Sequence, residues 1–92
     1  MSYRKEKVES LVHKIAAEFI EKESGPQSLI TVIAVNFDET KNRAAVLITV
    51  WPEEKSRIVM EFLNRKKRDF IEYLKDNSRF KNLPFIEFRL AG

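Results

Sequence analysis

The sequence predicts an α+β fold in which two helices and three strands follow one another in the order α-β-β-α-β. Three observations support this class. Apolar residues recur at three- and four-residue steps in two long segments, β-branched residues are concentrated in short apolar segments, and turn-forming residues separate them. A chain of 92 residues, 43% hydrophobic and 34% charged, fits one globular domain over residues 1–92 with a small core.

Two segments show helical periodicity. The first covers residues 3–23 and stops at Gly25-Pro26, a pair that ends helices. The second begins after Pro52, because proline suits a first helical turn, and it extends to about Asp76. Each segment carries an apolar stripe of the width that packs against a sheet, so we expect both helices on one face of the sheet.

Three segments are predicted as strands: Leu29–Phe37, Arg43–Trp51 and Phe85–Leu90. A turn-forming pentapeptide joins the first two as a hairpin. The last strand follows a helical crossover, so we predict that it lies beside the first strand and parallel to it. The predicted sheet order is therefore 2-1-3. The second strand has one fully apolar face, predicted to be buried. Its last residue, Trp51, is expected to cover the end of the core.

Composition argues against several kinds of function. There is no cysteine and only one histidine, His13, so disulfides, thiolate metal sites and histidine-based catalytic pairs are excluded. The only glycines are Gly25 and Gly92, so there is no Gly-rich phosphate loop. No apolar run reaches the roughly 18 residues of a membrane span. We therefore expect a cytoplasmic protein that is not an enzyme, does not enter a membrane and has no metal or small-molecule cofactor.

Positive charge is concentrated in one part of the chain. The formal net charge is +3, whereas residues 64–81 alone carry +4. Such a local excess is typical of a nucleic-acid-binding surface, although a solvated helix face explains a charge run of this size equally well.

Four consecutive cations, Arg65–Arg68, interrupt the apolar stripe of the second predicted helix. On a helical wheel Lys66 falls inside the stripe, where an unpaired ammonium is costly to bury. Either the helix is continuous and Lys66 extends its stem toward solvent, or the helix is kinked at Arg68-Asp69 and turns Lys66 and Lys67 outward. The kink is the favoured alternative.

The segment Ser28–Trp51, SLITVIAVNFDETKNRAAVLITVW, resembles the ribosome-binding factor A family: an Ile/Val-Thr-Val strand, an acidic turn and a second strand of Ala-x-Val character. The likeness continues in the first helix, VESLVHKIAAEFI, and in the closing segment LPFIEF, and covers nearly the whole chain. The resemblance implies a type II KH-like fold that lacks the Gly-x-x-Gly loop of ordinary KH domains. It also implies a kinked second helix, although this chain lacks the small residues of the family's kink.

The resemblance further implies a non-catalytic factor that binds the small ribosomal subunit and its rRNA, and that assists late maturation, rRNA processing and cold adaptation. The chain is then expected to be a monomer whose cations contact phosphates, which give affinity but little sequence information. The predicted RNA-binding residues are Arg4, Lys5, Arg65, Lys66, Lys67, Arg68, Arg79 and Lys81.

Three further side chains are secondary candidates. Lys41 and Arg43 add cations near the hairpin turn, and Phe80 either stacks on an exposed base or packs in the core, with core packing favoured.

The alternative function is a non-ribosomal protein-interaction module, which needs no basic patch. It would use the exposed sheet face or a sheet edge, expected at the second strand.

Overall fold

The computed structural model describes residues 3–26 and 28–91 as an α-β-β-α-α-β domain, which confirms the α+β class. In chain order the helices and strands are α1 Tyr3–Glu23, β1 Leu29–Asp38, β2 Arg43–Trp51, α2 Ser56–Arg65, α3 Lys67–Asp76 and β3 Phe85–Leu90. A single 3-10 turn, Glu53–Lys55, precedes α2. The bounds of α1, β2 and β3 agree with the prediction, and β1 is one residue longer.

α1 forms because its apolar residues follow the helical repeat and give it one buried face. The residues of that face are Val8, Val12, Ile15, Ala16, Phe19 and Ile20. The helix ends where the Ser24 amide donates to the Ile20 carbonyl at 2.8 Å, just before Gly25 and Pro26. Fully burying one such aliphatic or aromatic side chain contributes roughly 1.5–3 kcal/mol, so packing on the sheet supplies most of the helix stability.

The sheet order is β1-β2-β3, with β1 antiparallel to β2 and β3 parallel to β2. The predicted order 2-1-3 is wrong. A helical crossover makes β3 parallel to β2, and since β1 is antiparallel to β2, a parallel partner exists only beside β2. β2 is therefore the central strand, and its inward residues Ala44, Val46 and Ile48 are fully buried. The edges of the sheet are β1 and β3.

A bulge divides β1 into two halves. Pairing with β2 runs through Val32 and resumes at Ala34, which leaves Ile33 as the extra residue. The bulge shifts the alternation by one position, so that Val32 faces the core before it and Val35 and Phe37 face the core after it. Strict alternation along the whole strand would have exposed either Val32 or both Val35 and Phe37.

The helices cover one face of the sheet, and the other face is open. Because even-numbered residues of β2 point to the core, Trp51 points away from it and is 72% exposed. It pairs with Leu29, which is 65% exposed, while Phe85 of β3 is 68% exposed. The expectation that Trp51 covers the end of the core is therefore wrong.

Phe70 joins α3 to two other elements. Its ring centroid lies 5.3 Å from that of Phe19 in α1 and 5.6 Å from that of Phe88 in β3, with 58° between the ring planes in each pair. The ring centroids of Phe19 and Tyr73 lie 5.5 Å apart. Tilted aromatic pairs of this kind contribute about 0.5–1.5 kcal/mol beyond the burial of their area. Phe70 is fully buried and holds α3 between α1 and the sheet.

The predicted second helix is broken, but at Lys66 rather than at Asp69. Lys66 has φ −89° and ψ 1°, outside the helical region. Its amide still donates to the Phe62 carbonyl at 3.0 Å and its carbonyl accepts the Phe70 amide at 2.8 Å. Lys66 does not turn outward: its Nζ lies 3.4 Å from a carboxylate oxygen of Glu23 and 3.7 Å from one of Asp69. A bend and an anionic partner together accommodate the cation in the apolar stripe.

Glu9 ties α1 to the outer edge of β1. Its Oε2 accepts a 2.6 Å hydrogen bond from Lys5 Nζ and a 2.8 Å hydrogen bond from the Phe37 amide. Burial raises the pKa of the Glu9 carboxyl, but the two hydrogen bonds and the charge of Lys5 outweigh burial and leave the pKa below its ordinary value. The Glu9 carboxylate thus accepts a hydrogen bond from the Phe37 amide, which lies on the outer side of the edge strand β1 and has no neighbouring strand there to bond with.

We predict that Phe70→Ala lowers the free energy of unfolding by about 3–5 kcal/mol, because it leaves a cavity between α1, α3 and β3. This is a large share of the roughly 5–15 kcal/mol that stabilises a typical domain. Urea denaturation measures the change. The matched control is Phe85→Ala, which removes the same side chain from an exposed position and should cost less than about 1 kcal/mol. Equal losses in the two variants would contradict a central role for Phe70.

We predict that Glu9→Ala lowers the free energy of unfolding at pH 7 by about 1–3 kcal/mol, because the Phe37 amide loses its acceptor. Since the pKa of Glu9 is lowered by folding, its contribution is complete above the ordinary value of 4.5 and is lost as the pH falls through the folded-state pKa. The difference in the free energy of unfolding between the native protein and Glu9→Ala should therefore shrink as the pH falls below about 4.5. Glu18→Ala, at an exposed position of α1, serves as control. If the loss of stability in Glu9→Ala is the same at every pH, the stabilisation by Glu9 does not depend on the charge of its carboxylate.

Candidate nucleic-acid interface

Four cations surround a small hollow at one end of the sheet. α1 and α3 are antiparallel, since Phe19 late in α1 contacts Phe70 early in α3, so the start of α1 meets the segment that follows α3. The hollow has a volume of about 400 Å³. Its apolar lining is Val8, Leu11 and Phe80. Its cations are Arg4, Lys7, Arg79 and Lys81. We call this hollow the Phe80 pocket.

The segment 77–84, which carries two of these cations, is anchored near both ends. At its start the Ser78 hydroxyl donates to the Leu74 carbonyl at 2.6 Å. Near its end the Asn42 side chain donates to the Leu83 carbonyl at 3.2 Å. Asn42 has φ 51°, a left-handed conformation that asparagine tolerates better than most residues. The backbone of the segment is therefore tied to α3 and to the hairpin turn.

A second groove, of about 740 Å³, follows the outer edge of β3. Lys67 lies on its helical side beside the break, and Arg43 lies on its sheet side next to Phe85 in the strand register. Glu87 also lines this groove. A hydrogen bond from Arg89 is the main cause that lowers the pKa of Glu87, and the charges of Arg43 and Lys67 lower it further. The β3 groove therefore has mixed charge, unlike the Phe80 pocket.

A shallow hollow of about 460 Å³ connects the two sites. It shares Arg4 and Lys81 with the Phe80 pocket, and it shares Leu83 and Phe85 with the β3 groove. One acidic residue, Glu39, lines it. We call the continuous surface formed by the Phe80 pocket, the shallow hollow and the β3 groove the basic end.

Four of the eight predicted RNA-binding residues line the basic end: Arg4, Lys67, Arg79 and Lys81. Arg4 lies over Phe37, with 5.2 Å between the guanidinium carbon and the ring centroid, a cation–π geometry. Arg43, a secondary candidate, also lies there. Lys7 was not among the eight predicted residues, although its i, i+3 relation to Arg4 places the two cations on one side of a helix.

The other four predicted residues lie elsewhere. Lys5 and Lys66 form ion pairs with carboxylates of α1, so the fold itself uses their charges. Arg65 and Arg68 are exposed beside the helix break. Lys66 and Lys67, which a kink was expected to turn outward together, point to different elements: Lys66 contacts α1, whereas Lys67 lines the β3 groove.

The basic end combines guanidinium and ammonium groups, amides and an apolar floor, which are groups that bind anions and flat rings. Within residues 3–26 and 28–91, no group of three or more His, Asp or Glu side chains is placed to hold a metal ion. None of the helices in that part of the chain is both long and apolar enough to cross a membrane.

Fold and surface together define the class of protein. An α-β-β-α-α-β domain with a mixed three-stranded sheet, a bend between its second and third helices and no Gly-x-x-Gly loop is a KH-like domain of the kind found in ribosome-binding factor A. The crystal structure of ribosome-binding factor A from Thermus thermophilus superposes with a TM-score of 0.80 and 26% sequence identity, and the match covers 94% of this chain and 93% of that chain.

Two further solved structures share the fold. The solution NMR structure of a Thermotoga maritima protein proposed to be a ribosome-binding factor A gives a TM-score of 0.76 and 29% identity over 97% of this chain and 88% of that one. The third structure is a homology model of Thermus thermophilus ribosome-binding factor A that was fitted into a cryo-EM map of a 30S–RbfA complex. It gives a TM-score of 0.73 and 25% sequence identity, and the match covers 88% of each chain. No protein-family model and no curated protein matches the sequence. The resemblance to ribosome-binding factor A that the sequence indicated is confirmed.

We predict that neighbouring cations at the helix break have different roles. Lys66→Gln should lower the free energy of unfolding by up to about 1 kcal/mol, since it loses the contact with Glu23, and should leave RNA affinity unchanged. Lys67→Gln should leave stability unchanged and weaken RNA binding at low salt. Urea denaturation and fluorescence anisotropy with small-subunit rRNA measure the two quantities. If Lys66→Gln weakens RNA binding while Lys67→Gln destabilises the fold, the two roles are reversed and the prediction is wrong.

Proposed function

We propose that this protein is a non-catalytic ribosome-binding factor that binds the small ribosomal subunit and its rRNA in the cytoplasm and assists late maturation of the subunit. The observation that carries the proposal is the structural likeness to ribosome-binding factor A over 88–97% of the chain, including the structure fitted into the 30S–RbfA map. A role in rRNA processing and in growth at low temperature belongs to the same proposal.

The basic end supports RNA as the partner and indicates how it is bound. Arg4 and Lys7 project from α1, whereas Arg79 and Lys81 come from the opposite side of the Phe80 pocket. Cations from two elements that surround one hollow contact a phosphate backbone at several points, and each phosphate neutralised makes the affinity more dependent on salt. Such contacts fix the position of the protein on the RNA rather than reading its sequence.

A second candidate function is supported by the open face of the sheet. Leu29 and Trp51 lie side by side and are 65% and 72% exposed, and Ile33 at the bulge is 48% exposed. Leu29 and Trp51, but not Ile33, line a groove of about 800 Å³ that also includes Pro52 and Glu21. Contiguous exposed apolar side chains of this kind mark protein-binding surfaces. A protein-interaction module would use this face or the free edges of β1 and β3, and not the β2 edge expected from the sequence.

Sedimentation in sucrose gradients separates the two functions. We predict that the protein travels with free small subunits at low salt and leaves them as salt rises, because phosphate contacts dominate. Arg79→Gln/Lys81→Gln should bind more weakly, with a slope of log affinity against log salt that is shallower by about 1.8 if both contacts are to duplex RNA, or about 1.4 on single strands. Anisotropy with small-subunit rRNA supplies the slope.

The matched control is Lys55→Gln/Arg57→Gln, which removes the same charge from the segment that follows Trp51 and Pro52. It should keep the original slope. Binding to small subunits that resists salt and is lost in Leu29→Ser/Trp51→Ser would favour the open sheet face. Absence from the small-subunit fractions at every salt concentration would contradict the ribosomal function.

A further inference from the structure

The Phe80 pocket has the two chemical features of a nucleotide site in one place. Phe80 lies between two cations in the chain and is partly buried against the core, so its ring is already fixed where it lines the pocket. Val8 and Leu11 extend this apolar floor from the side of α1. A fixed aromatic ring loses little conformational freedom when a flat ligand packs against it.

The size and charge of the pocket select among ligands. Its volume of about 400 Å³ is near the lower end of the roughly 300–1,000 Å³ of small-molecule sites, which suits one base with its sugar and excludes a helix or a duplex. An apolar floor alone also fits an aliphatic side chain. Four cations, two from α1 and two from the segment after α3, favour an occupant that is anionic on both sides of an apolar body, as a nucleotide within an RNA chain is.

We propose that the Phe80 pocket binds the base of a single unpaired RNA nucleotide, while Arg4 and Lys7 on one side and Arg79 and Lys81 on the other hold the flanking phosphates. This inference rests on the proposed function and deepens it, since it names an unpaired nucleotide rather than a duplex as the preferred feature of the RNA. Asn82, which lines the same pocket, carries the amide donors and acceptors that recognise a base edge.

The test compares two RNA probes of equal length and charge, a stem–loop and a fully paired duplex, with 2-aminopurine in the loop. The native protein should bind the stem–loop about five- to hundredfold more tightly, the range expected for stacking one base, and 2-aminopurine fluorescence should change on binding. Phe80→Leu keeps an apolar side chain for folding but removes the aromatic ring. It should lose the preference for the stem–loop while retaining the salt dependence. Phe62→Leu, which changes a partly buried phenylalanine of α2 that does not line the basic end, is the matched control and should behave like the native protein.

The outcomes distinguish this inference from the function on which it rests. If the native protein binds both probes equally with a steep salt dependence, the pocket does not take a base, but RNA binding stands. If Phe80→Leu keeps the preference for the stem–loop, the pocket is occupied by something else, such as a side chain of a partner protein, and the inference is overturned. If Phe80→Leu loses affinity for both probes together with thermal stability, the ring has only a packing role and the inference is also overturned. If the native protein binds neither RNA nor small subunits, both the inference and the proposed function fail.

Discussion

The contact of Phe70 with Phe19 and Phe88 is the constraint on which the rest of the structure depends. It positions α3 across the core, between a helix at the start of the chain and a strand at its end. Once α3 is fixed, the segment that follows it must pass the first turns of α1 before it enters β3. The cations of that segment therefore meet those of α1 because of apolar packing, and despite the mutual repulsion of like charges. The same packing forms the Phe80 pocket.

Charge is distributed in two ways that serve different purposes. Lys5 and Lys66 contact Glu9 and Glu23, so these cations join elements of the fold. The cations of the basic end line hollows on the surface. α1 also carries Arg4, Lys5 and Lys7 near its N-terminus, where cations oppose the helix dipole. The cost to the helix is small, roughly 0.3–1 kcal/mol for each charge, and burial of the apolar face of α1 exceeds it several times over.

Local features of the fold were predictable from the sequence, whereas features set by tertiary packing were not. The bounds of α1, β2 and β3 depend on periodicity and on turn residues, which are local signals. The sheet order depends on which strands pair, and the nearly continuous apolar character of β2 was the signal that marked a central strand. The bulge at Ile33 depends on the register between two strands, which no single strand encodes. The exposure of Trp51, by contrast, follows from the alternation of β2 itself. The site was predicted in part for the same reason: sequence locates cations, but only packing decides which of them meet.

The two candidate surfaces lie at different parts of the same sheet. The basic end is formed where β1 ends and where β2 and β3 begin, whereas Leu29 and Trp51 lie at the opposite end, in a groove that includes Glu21. An RNA bound at the basic end therefore leaves the Leu29–Trp51 pair free of phosphate contacts. The proposed function would use one end of the sheet for RNA and would leave the other end for an apolar protein surface. RNA contacts weaken with salt while apolar contacts do not, so the residual affinity at high salt measures the second surface alone.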